Sequence, residues 1–253
     1  MKPSTAIYDS VGRTYSSHRQ SDPYIADAIN NALVGCYSVL NVGAGPGSYE
    51  PAYLAVTAVE PSRIMIDQRP LTAAKCIRAT AEDLPFPDRH FDAVLGVMTV
   101  HHWRDLEKGL RECVRVARMK VVILTTDMSE FSRFWLFDYL PELFTIDRAA
   151  FPSIERVAKA LAATTITPVP IPRNCRDGFL GAYWQRPAAY LDPTVRASIS
   201  TFAKLLDSAA GLRQIEVDVR SGEWSRKYQH LLDRNDLDLG YRLVTATVDR
   251  AAE

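Results

Sequence analysis

The segment Val39-Leu40-Asn41-Val42-Gly43-Ala44-Gly45-Pro46-Gly47 joins an apolar run to a glycine-rich turn, and a second apolar run over residues 54–59 ends at Glu60. Glycines let the backbone pass close to a ligand because they lack a Cβ atom and tolerate positive φ. An acid at the tip of the following strand can accept hydrogen bonds from both hydroxyls of a ribose. Together these features predict a nucleoside site at the carboxyl edge of a parallel sheet.

The spacing within the turn separates two classes of cofactor. A dinucleotide site has the pattern G-x-G-x-x-G, whose third glycine lies at a close helix–strand contact. Here Ser48 occupies that third position, and Gly47 comes one place early. Pro46 removes an N–H donor that a pyrophosphate would need, and the interval from Gly43 to Glu60 is shorter than the roughly 20 residues of a dinucleotide site. We therefore expect a ligand with adenosine but no pyrophosphate, and a nicotinamide-dependent oxidoreductase is the less favoured alternative.

Three further segments follow in order: Ala79-Thr80-Ala81-Glu82-Asp83-Leu84-Pro85-Phe86-Pro87-Asp88, Phe91-Asp92-Ala93-Val94-Leu95, and Val97-Met98-Thr99-Val100-His101-His102-Trp103. With the glycine turn and Glu60, they resemble the class I S-adenosylmethionine-dependent methyltransferases. The branch they are most similar to acts on small molecules and includes quinone-biosynthesis methyltransferases. The resemblance covers residues 37–126 and implies S-adenosyl-L-methionine as the cofactor and a small-molecule methyl acceptor.

The resemblance also implies which residues contact the cofactor. The glycine turn faces the methionine part, Glu60 holds the ribose, and residues 80–82 lie at the adenine edge. The family commonly has an aspartate where this chain has Thr80, so a backbone carbonyl or Glu82 is expected to replace that contact. The expected cofactor-binding residues are Tyr15, Arg19, Gly43, Ala44, Gly45, Gly47, Glu60, Pro61, Thr80, Ala81, Glu82, Val97 and Met98.

The segment Tyr15-Ser16-Ser17-His18-Arg19 resembles the N-terminal flap of this branch. Arg19 is a candidate clamp for the cofactor carboxylate, because a guanidinium binds carboxylates through two hydrogen bonds. Tyr15 is expected to close over the site. A solvated helix face is an equally favoured alternative for this segment.

His101 and His102 follow the fourth predicted strand, where the acceptor pocket is expected to open. A neutral imidazole, with an ordinary pKa of about 6.5, can accept a proton at neutral pH. Some small-molecule members of the resembled family use a histidine here as the base, so the two residues are the candidate catalytic groups. Two alternatives stay open, in which the histidines only shape the pocket or hydrogen-bond to backbone in the core.

Aromatic side chains are dense over residues 131–144 and return in the later part of the chain. Aromatic walls suit an apolar or planar acceptor, and ring faces attract a sulfonium. The expected acceptor contacts are Phe134, Trp135, Tyr183 and Trp184. Packing within the core of the same region is the alternative explanation.

Alternating apolar runs and helical periodicities predict an α/β fold with a doubly wound, mostly parallel seven-stranded sheet, and the resemblance implies that it is of the Rossmann-like methyltransferase type. Strands are expected at residues 37–42, 54–60, 75–80, 91–98, 119–126, 164–169 and 240–248. The chain then divides into an N-terminal helical flap (1–36), a cofactor-binding core (37–170), a mainly helical cap (171–239) and the final strand of the core (240–253).

The predicted cap is about 70 residues long, which exceeds what a bare loop in a compact domain allows. Asp192 and Pro193 form a helix start signal and Gly211 a stop signal, so one helix is expected between them. We interpret the insertion as a cap over the acceptor site, with a surface elaboration or a dimer contact as the alternative.

Composition narrows the function further. Thirty basic and 30 acidic residues cancel, whereas nucleic-acid binding usually needs a basic excess. Four cysteines without a C-x-x-C pair give no support for a metal site or disulfides. There is no apolar signal region near the start and no apolar run of about 18 residues, so we expect a cytoplasmic protein without a membrane span. An S-adenosylmethionine-binding module without catalytic activity stays open as an alternative function, and the oligomeric state is not predicted.

Overall fold

The computed structural model describes residues 19–248, which are built around a seven-stranded sheet. In chain order the strands are β1 (Ser38–Val42), β2 (Ala55–Val59), β3 (Lys75–Ile77), β4 (Phe91–Val97), β5 (Ala117–Thr126), β6 (Thr165–Pro168), β7 (Ile171–Pro172), β8 (Asp236–Leu237) and β9 (Tyr241–Thr247). The main sheet has the order β3-β2-β1-β4-β5-β9-β6, and β7 pairs with β8 apart from it. The pairs from β3 to β5 are parallel, and β9 is antiparallel to both of its neighbours. The predicted fold class is confirmed.

The α-helices of the described residues are α1 (Pro23–Ala32), α2 (Arg63–Asp67), α3 (Leu106–Val116), α4 (Met128–Phe131), α5 (Pro141–Ala150), α6 (Ile154–Leu161), α7 (Pro193–Ala197), α8 (Ala209–Ser221), α9 (Glu223–Lys227) and α10 (Gln229–Leu232). Helix α1 begins as the sequence predicts. The Asp22 carboxylate accepts hydrogen bonds from the N–H groups of Tyr24 and Ile25, and Pro23 is the first helical residue. Proline fits there because the first helical N–H has no partner within the helix.

Both faces of the sheet are covered, which explains the near-continuous apolar runs of its central strands. Val39 packs in a core cluster with α1, whereas its neighbour Leu40 packs in the opposite cluster with α3 and α6. The same alternation holds for Leu95 and Val94 in β4. Successive side chains of a strand point to opposite faces, so helices on both sides bury both sets.

The insertion between β6 and β9 packs on the α1 side of the sheet, but its helices differ from the prediction. The helix expected from Pro193 to Gly211 is wrong, because α7 ends at Ala197 and Gly211 lies inside α8. A Cβ at position 211 would lie 2.3 Å from the carbonyl oxygen of Tyr139. Gly211 therefore serves a close helix contact, and its role as a stop signal was misassigned.

The pairing register of β1 and β2 brings the glycine turn and Glu60 together. Val42 at the end of β1 pairs with Val59 at the end of β2, so Gly43 and Glu60 leave the sheet at the same carboxyl edge. The Glu60 N–H also donates to the carbonyl of Ile77 at the end of β3. Ligands of open α/β sheets bind at this edge.

Candidate active site

The glycine turn is held against the neighbouring strand by its own backbone. The N–H groups of Gly43 and Ala44 both donate to the carbonyl of Val59, at 2.8 and 3.0 Å. Gly43 has φ +67°, and a Cβ there would lie 1.9 Å from Thr99 Oγ1. Only glycine satisfies both the conformation and the contact, so the turn depends on the residue type that the sequence singled out.

Glu60 is fixed by two backbone donors. Its Oε2 accepts from the N–H of Gly45 and its Oε1 from the N–H of Ser62, both at 2.9 Å, and the residue is 7% exposed. Burial raises the pKa of the Glu60 carboxyl, and the two N–H donors and the charge of Arg69 oppose that rise. Each carboxylate oxygen keeps a further acceptor site, which is what the vicinal hydroxyls of a ribose require.

A third strand edge supplies the predicted adenine segment. The carbonyl of Thr80 accepts from the N–H of Asp83 at 3.2 Å, which closes a tight turn. Glu82 Oε1 accepts from the N–H groups of Arg104 and Asp105, at 2.7 and 3.2 Å. Glu82 therefore ties this turn to the loop before α3 through one of its two carboxylate oxygens.

These elements enclose a cavity of about 1100 Å³, open solvent included. Most of the predicted cofactor residues line it together: Arg19, Gly43, Ala44, Gly45, Glu60, Pro61, Thr80, Ala81, Glu82, Val97 and Met98. We call it the cofactor cavity. Its floor is formed by backbone at the glycine turn, where a Cβ added to Gly45 would meet nothing within 4 Å. The available space and the paired acceptors of Glu60 fit an adenosyl ligand.

Of the predicted cofactor residues that the structure describes, Gly47 alone does not line this cavity. Tyr15 lies outside the described residues. Gly47 has φ +100° and donates its N–H to the carbonyl of Ala44 at 3.0 Å, so it shapes the turn. Further lining residues were not predicted as cofactor-binding residues: Asn41, Pro46, Ser48, Tyr49, Ser62, Met65, Thr99, His102, Trp103 and Arg104, of which His102 was predicted as a catalytic residue. Four of them, Pro46, Ser48, Ser62 and Thr99, are immediate chain neighbours of predicted cofactor residues, and for these that adjacency was the available signal.

A second cavity of about 590 Å³, open solvent included, adjoins the first, and Arg19 and Met98 line both. We call it the inner cavity. Its walls carry apolar and aromatic side chains, charged and imidazole groups, and the hydroxyl residues Thr126, Ser200 and Thr201. The apolar and aromatic members are Met98, Phe131, Ala150, Phe151, Phe179, Leu180, Ile199 and Tyr241, and the charged and imidazole members are Arg19, His101, Asp147 and Lys204.

The two histidines face different cavities. His102 lines the cofactor cavity and His101 the inner cavity, with ring centroids 3.8 Å apart. His101 also stacks on Phe151 at 3.9 Å. Burial, and then the positive charges of Lys204 and Arg19, lower the pKa of His102 to about 4. Burial, His102 and the same two cations hold the pKa of His101 well below its ordinary value, so both rings are neutral at pH 7.

Arg19 lies where the two cavities meet, and it is bound by the insertion. Its Nε donates to Asp177 Oδ1 at 2.6 Å, and Asp177 is 2% exposed. The Tyr49 hydroxyl donates to Asp177 Oδ2 at 2.9 Å and accepts from the N–H of Asp22 at 3.2 Å. This network joins the segment before α1, the glycine turn and the insertion, and only Arg19 was predicted as part of the site.

The four predicted acceptor contacts lie in the core beneath the insertion, and none of them lines either cavity in the described part of the chain. The indole N–H of Trp135 donates to the carbonyl of Trp184 at 2.6 Å, and that of Trp184 donates to the carbonyl of Ile171 at 2.9 Å. Phe134 is buried beside Trp135, and the guanidinium of Arg186 lies over the ring of Tyr183. Packing, the alternative left open by the sequence, accounts for their burial.

Comparison with known proteins gives the family. A family model described as a methyltransferase domain matches residues 40–124. The crystal structure of an Anabaena variabilis protein, described as a methyltransferase from an antibiotic biosynthesis pathway, is 33% identical and has a TM-score of 0.84, with 91% of this chain and 99% of that chain covered. The chain belongs to the class I S-adenosylmethionine-dependent methyltransferases. Their cofactor is S-adenosyl-L-methionine.

Two curated relatives of this methyltransferase match over shorter stretches. The uncharacterized methyltransferase YcgJ of Bacillus subtilis is 28% identical over 102 residues, which are 36% of this chain and 40% of that protein. The ubiquinone/menaquinone biosynthesis C-methyltransferase UbiE of Psychromonas ingrahamii is 35% identical over 75 residues, 26% of this chain and 30% of that protein. The methyltransferase thus matches less than half the length of these relatives. Within residues 19–248, no helix is long and apolar enough to cross a bilayer.

Proposed function

We propose that the protein transfers a methyl group from S-adenosylmethionine to a small-molecule acceptor that binds in the inner cavity. One observation carries the proposal: the cofactor cavity, with the glycine turn and Glu60 in its wall, shares the lining residues Arg19 and Met98 with an adjoining cavity that is partly lined by aromatic side chains. A transfer between two bound molecules needs two adjoining sites of this kind.

Each part of the cofactor cavity is assigned one role. Glu60 accepts hydrogen bonds from the ribose hydroxyls, since both of its oxygens are already oriented by backbone donors. The turn from Gly43 to Gly45 lies against the methionine part, and the backbone of residues 80–82 against the adenine. Arg19 is assigned to the cofactor carboxylate, and its guanidinium is oriented by Asp177.

Positioning is the main contribution that these residues make to catalysis. When bound, S-adenosylmethionine supplies an electrophilic methyl group on a sulfonium. The protein has to hold an acceptor in line with that group and exclude water, and ideal alignment in intramolecular reactions is worth about 7–11 kcal/mol. Buried side chains in the wall of the inner cavity, among them Phe131 and Tyr241, exclude water from it.

As a second part of the proposed function, His101 or His102 acts as the general base. Both rings are neutral at pH 7 and lie at the junction of the cavities, so each can accept a proton. The lowered pKa values make them weak bases. If neither His101→Ala nor His102→Ala reduces turnover by more than a few-fold at unchanged cofactor affinity, base catalysis by this pair is excluded.

The proposed function also includes the class of the acceptor and the role of the insertion. A small-molecule acceptor agrees with the aromatic lining of the inner cavity and with a chain whose charges cancel, so we do not assign a nucleic-acid substrate. We assign the insertion to the cap of the acceptor site, since Phe179, Leu180 and Ile199 from it line the inner cavity.

Calorimetry and a turnover assay test the proposed function together. S-adenosylhomocysteine should bind at micromolar concentrations, and NAD(H) should not. Glu60→Ala should weaken the binding of S-adenosylhomocysteine at least tenfold, because it removes two charge-assisted acceptors. Glu142→Gln, an exposed carboxylate on α5, is the control. Binding without methylation of any compound in an acceptor panel would favour a noncatalytic module, and selective NAD(H) binding would favour an oxidoreductase.

A further inference from the structure

Among residues 19–248, one carboxylate lines the inner cavity, and its surroundings leave one of its oxygens available. Asp147 lines the cavity at 6% exposure. The Thr201 hydroxyl donates to its Oδ1 at 2.8 Å. Its Oδ2 has no hydrogen-bond partner among residues 19–248. A carboxylate oxygen that lines the cavity without a protein partner can accept a hydrogen bond from a ligand donor.

Charges around the inner cavity are balanced. Lys204 lines the cavity and stabilises the ionised form of Asp147. The second cation at the cavity, Arg19, is paired with Asp177. A charged acceptor would therefore add an uncompensated charge to a poorly hydrated site, which is expensive. A neutral acceptor adds none.

The rest of the wall indicates the shape of the acceptor. Phe131, Phe151, Phe179 and Tyr241 present rings to the cavity, and Phe151 is backed by the stacked ring of His101. Rings favour offset or edge contacts with another ring. The rings thus suit a flat aromatic body, and the hydroxyl residues Thr126, Ser200 and Thr201 complete the wall beside them.

We propose that the inner cavity binds the methyl acceptor as a neutral aromatic compound with a hydroxyl group, and that this hydroxyl donates a hydrogen bond to Oδ2 of Asp147. This rests on the proposed function, because the acceptor role of the cavity depends on the adjoining cofactor site. The aromatic body lies among the phenylalanine rings, and Lys204 supports the carboxylate that receives the hydrogen bond.

Binding of naphthalene derivatives tests the proposal without relying on turnover. The probes are 1-naphthol, its methyl ether 1-methoxynaphthalene, the anion 1-naphthoate and the cation 1-naphthylmethylammonium, titrated with and without saturating S-adenosylhomocysteine. We expect 1-naphthol to bind about tenfold or more tightly than its methyl ether, because only the alcohol can donate to Asp147. The two charged probes should bind more weakly than 1-naphthol.

Asp147→Asn assigns the effect to one residue. Thr201 can still donate to the amide oxygen, so the amide N–H₂ is left toward the cavity and cannot accept from a hydroxyl. The variant should remove the preference for 1-naphthol over 1-methoxynaphthalene, and the exposed Glu142→Gln on the same helix should keep it. If Asp147→Asn does not fold, the comparison of the alcohol with its ether on the unmodified protein still decides the question.

Several results would overturn the proposal. Equal affinity for the alcohol and the ether would show that no oxygen of the protein accepts a hydrogen bond from the hydroxyl. Tighter binding of the naphthoate or of the ammonium compound would show that the site selects charge. If S-adenosylhomocysteine binds and no probe binds at millimolar concentrations, the acceptor assignment is wrong while the cofactor site stands. If S-adenosylhomocysteine itself does not bind, the proposed function is the part that fails.

Discussion

Arg69 Nη2 donates to Glu50 Oε1 at 2.6 Å, and the two side chains are only 5% and 9% exposed. The same guanidinium donates through Nη1 to the carbonyl of Gly45 at 3.1 Å. Glu50 in turn accepts from the side chain of Asn41 and from the N–H of Ala74. This buried ion pair therefore braces the glycine turn against the segment that leads into β3, although Arg69 itself does not line the cofactor cavity.

Arg69→Met tests how much this brace contributes. Removing one partner of a buried ion pair leaves the other charge uncompensated and costs roughly 3–5 kcal/mol. We expect the free energy of unfolding, measured by urea denaturation, to fall by about 3 kcal/mol or more, and affinity for S-adenosylhomocysteine to fall with it. Arg63→Met, which breaks an ion pair that is 73% exposed on the arginine side, should cost less than about 1 kcal/mol. Equal losses in the two variants would mean that burial gives the Arg69–Glu50 pair no special role.

Gly43→Ala and Gly35→Ala separate two effects of a glycine with positive φ. Both positions lie in the left-handed region, at +67° and +84°, but only a Cβ at position 43 meets another atom, Thr99 Oγ1 at 1.9 Å. Gly35→Ala should cost about 1–2 kcal/mol of stability from backbone strain and leave cofactor binding unchanged. Gly43→Ala should lose more stability and also bind S-adenosylhomocysteine at least tenfold more weakly, because Thr99 and the turn must move. Intact cofactor affinity in Gly43→Ala, measured by calorimetry, would contradict the role given to this turn.

The cofactor cavity was predictable because its residues follow strand ends along the chain. Gly43 and Glu60 each come directly after an apolar run, and parallel pairing places such positions at one edge of the sheet. Asp177 and Tyr49 were missed because their contact spans 128 positions, and no local pattern encodes such a pairing. The helix expected up to Gly211 failed for a related reason: the glycine is required by a contact with Tyr139, which is distant in sequence.

Tyr49→Phe measures the coupling between the glycine turn and the insertion. The Tyr49 hydroxyl links Asp177 to the N–H of Asp22, and its loss leaves a buried carboxylate and a buried N–H each short of a partner. An unsatisfied buried polar group costs about 1–3 kcal/mol, so the urea midpoint should fall. Tyr53→Phe removes an exposed hydroxyl that contacts the carbonyl of Asn30 at 3.4 Å and should change little. Proteolysis within residues 171–239 should also become faster in Tyr49→Phe, and an unchanged rate would show that this hydroxyl does not hold the insertion.

The titration of Asp147 predicts a dependence of stability on pH. Burial raises the pKa of its carboxyl to about 6, and the Thr201 hydroxyl and the charge of Lys204 oppose the rise. The folded protein therefore binds this proton more tightly than the unfolded chain, whose aspartates have a pKa of about 3.9. The stability contributed by the protonated form is present at low pH and is lost as pH rises toward about 6.

Asp147→Asn should accordingly be more stable than the unmodified protein at pH 8, by up to about 3 kcal/mol. The gain should shrink as pH falls through 6 toward 4. Of the other groups at the inner cavity, Lys204 and Arg19 are the cations, and burial, His102 and their charges lower the pKa of His101, which favours its neutral ring. Urea denaturation of both proteins from pH 4 to pH 8 measures the effect. A pH-independent difference would mean that the Asp147 carboxyl titrates normally, whereas the expected gain would show that the fold keeps a destabilising carboxylate in the proposed acceptor site.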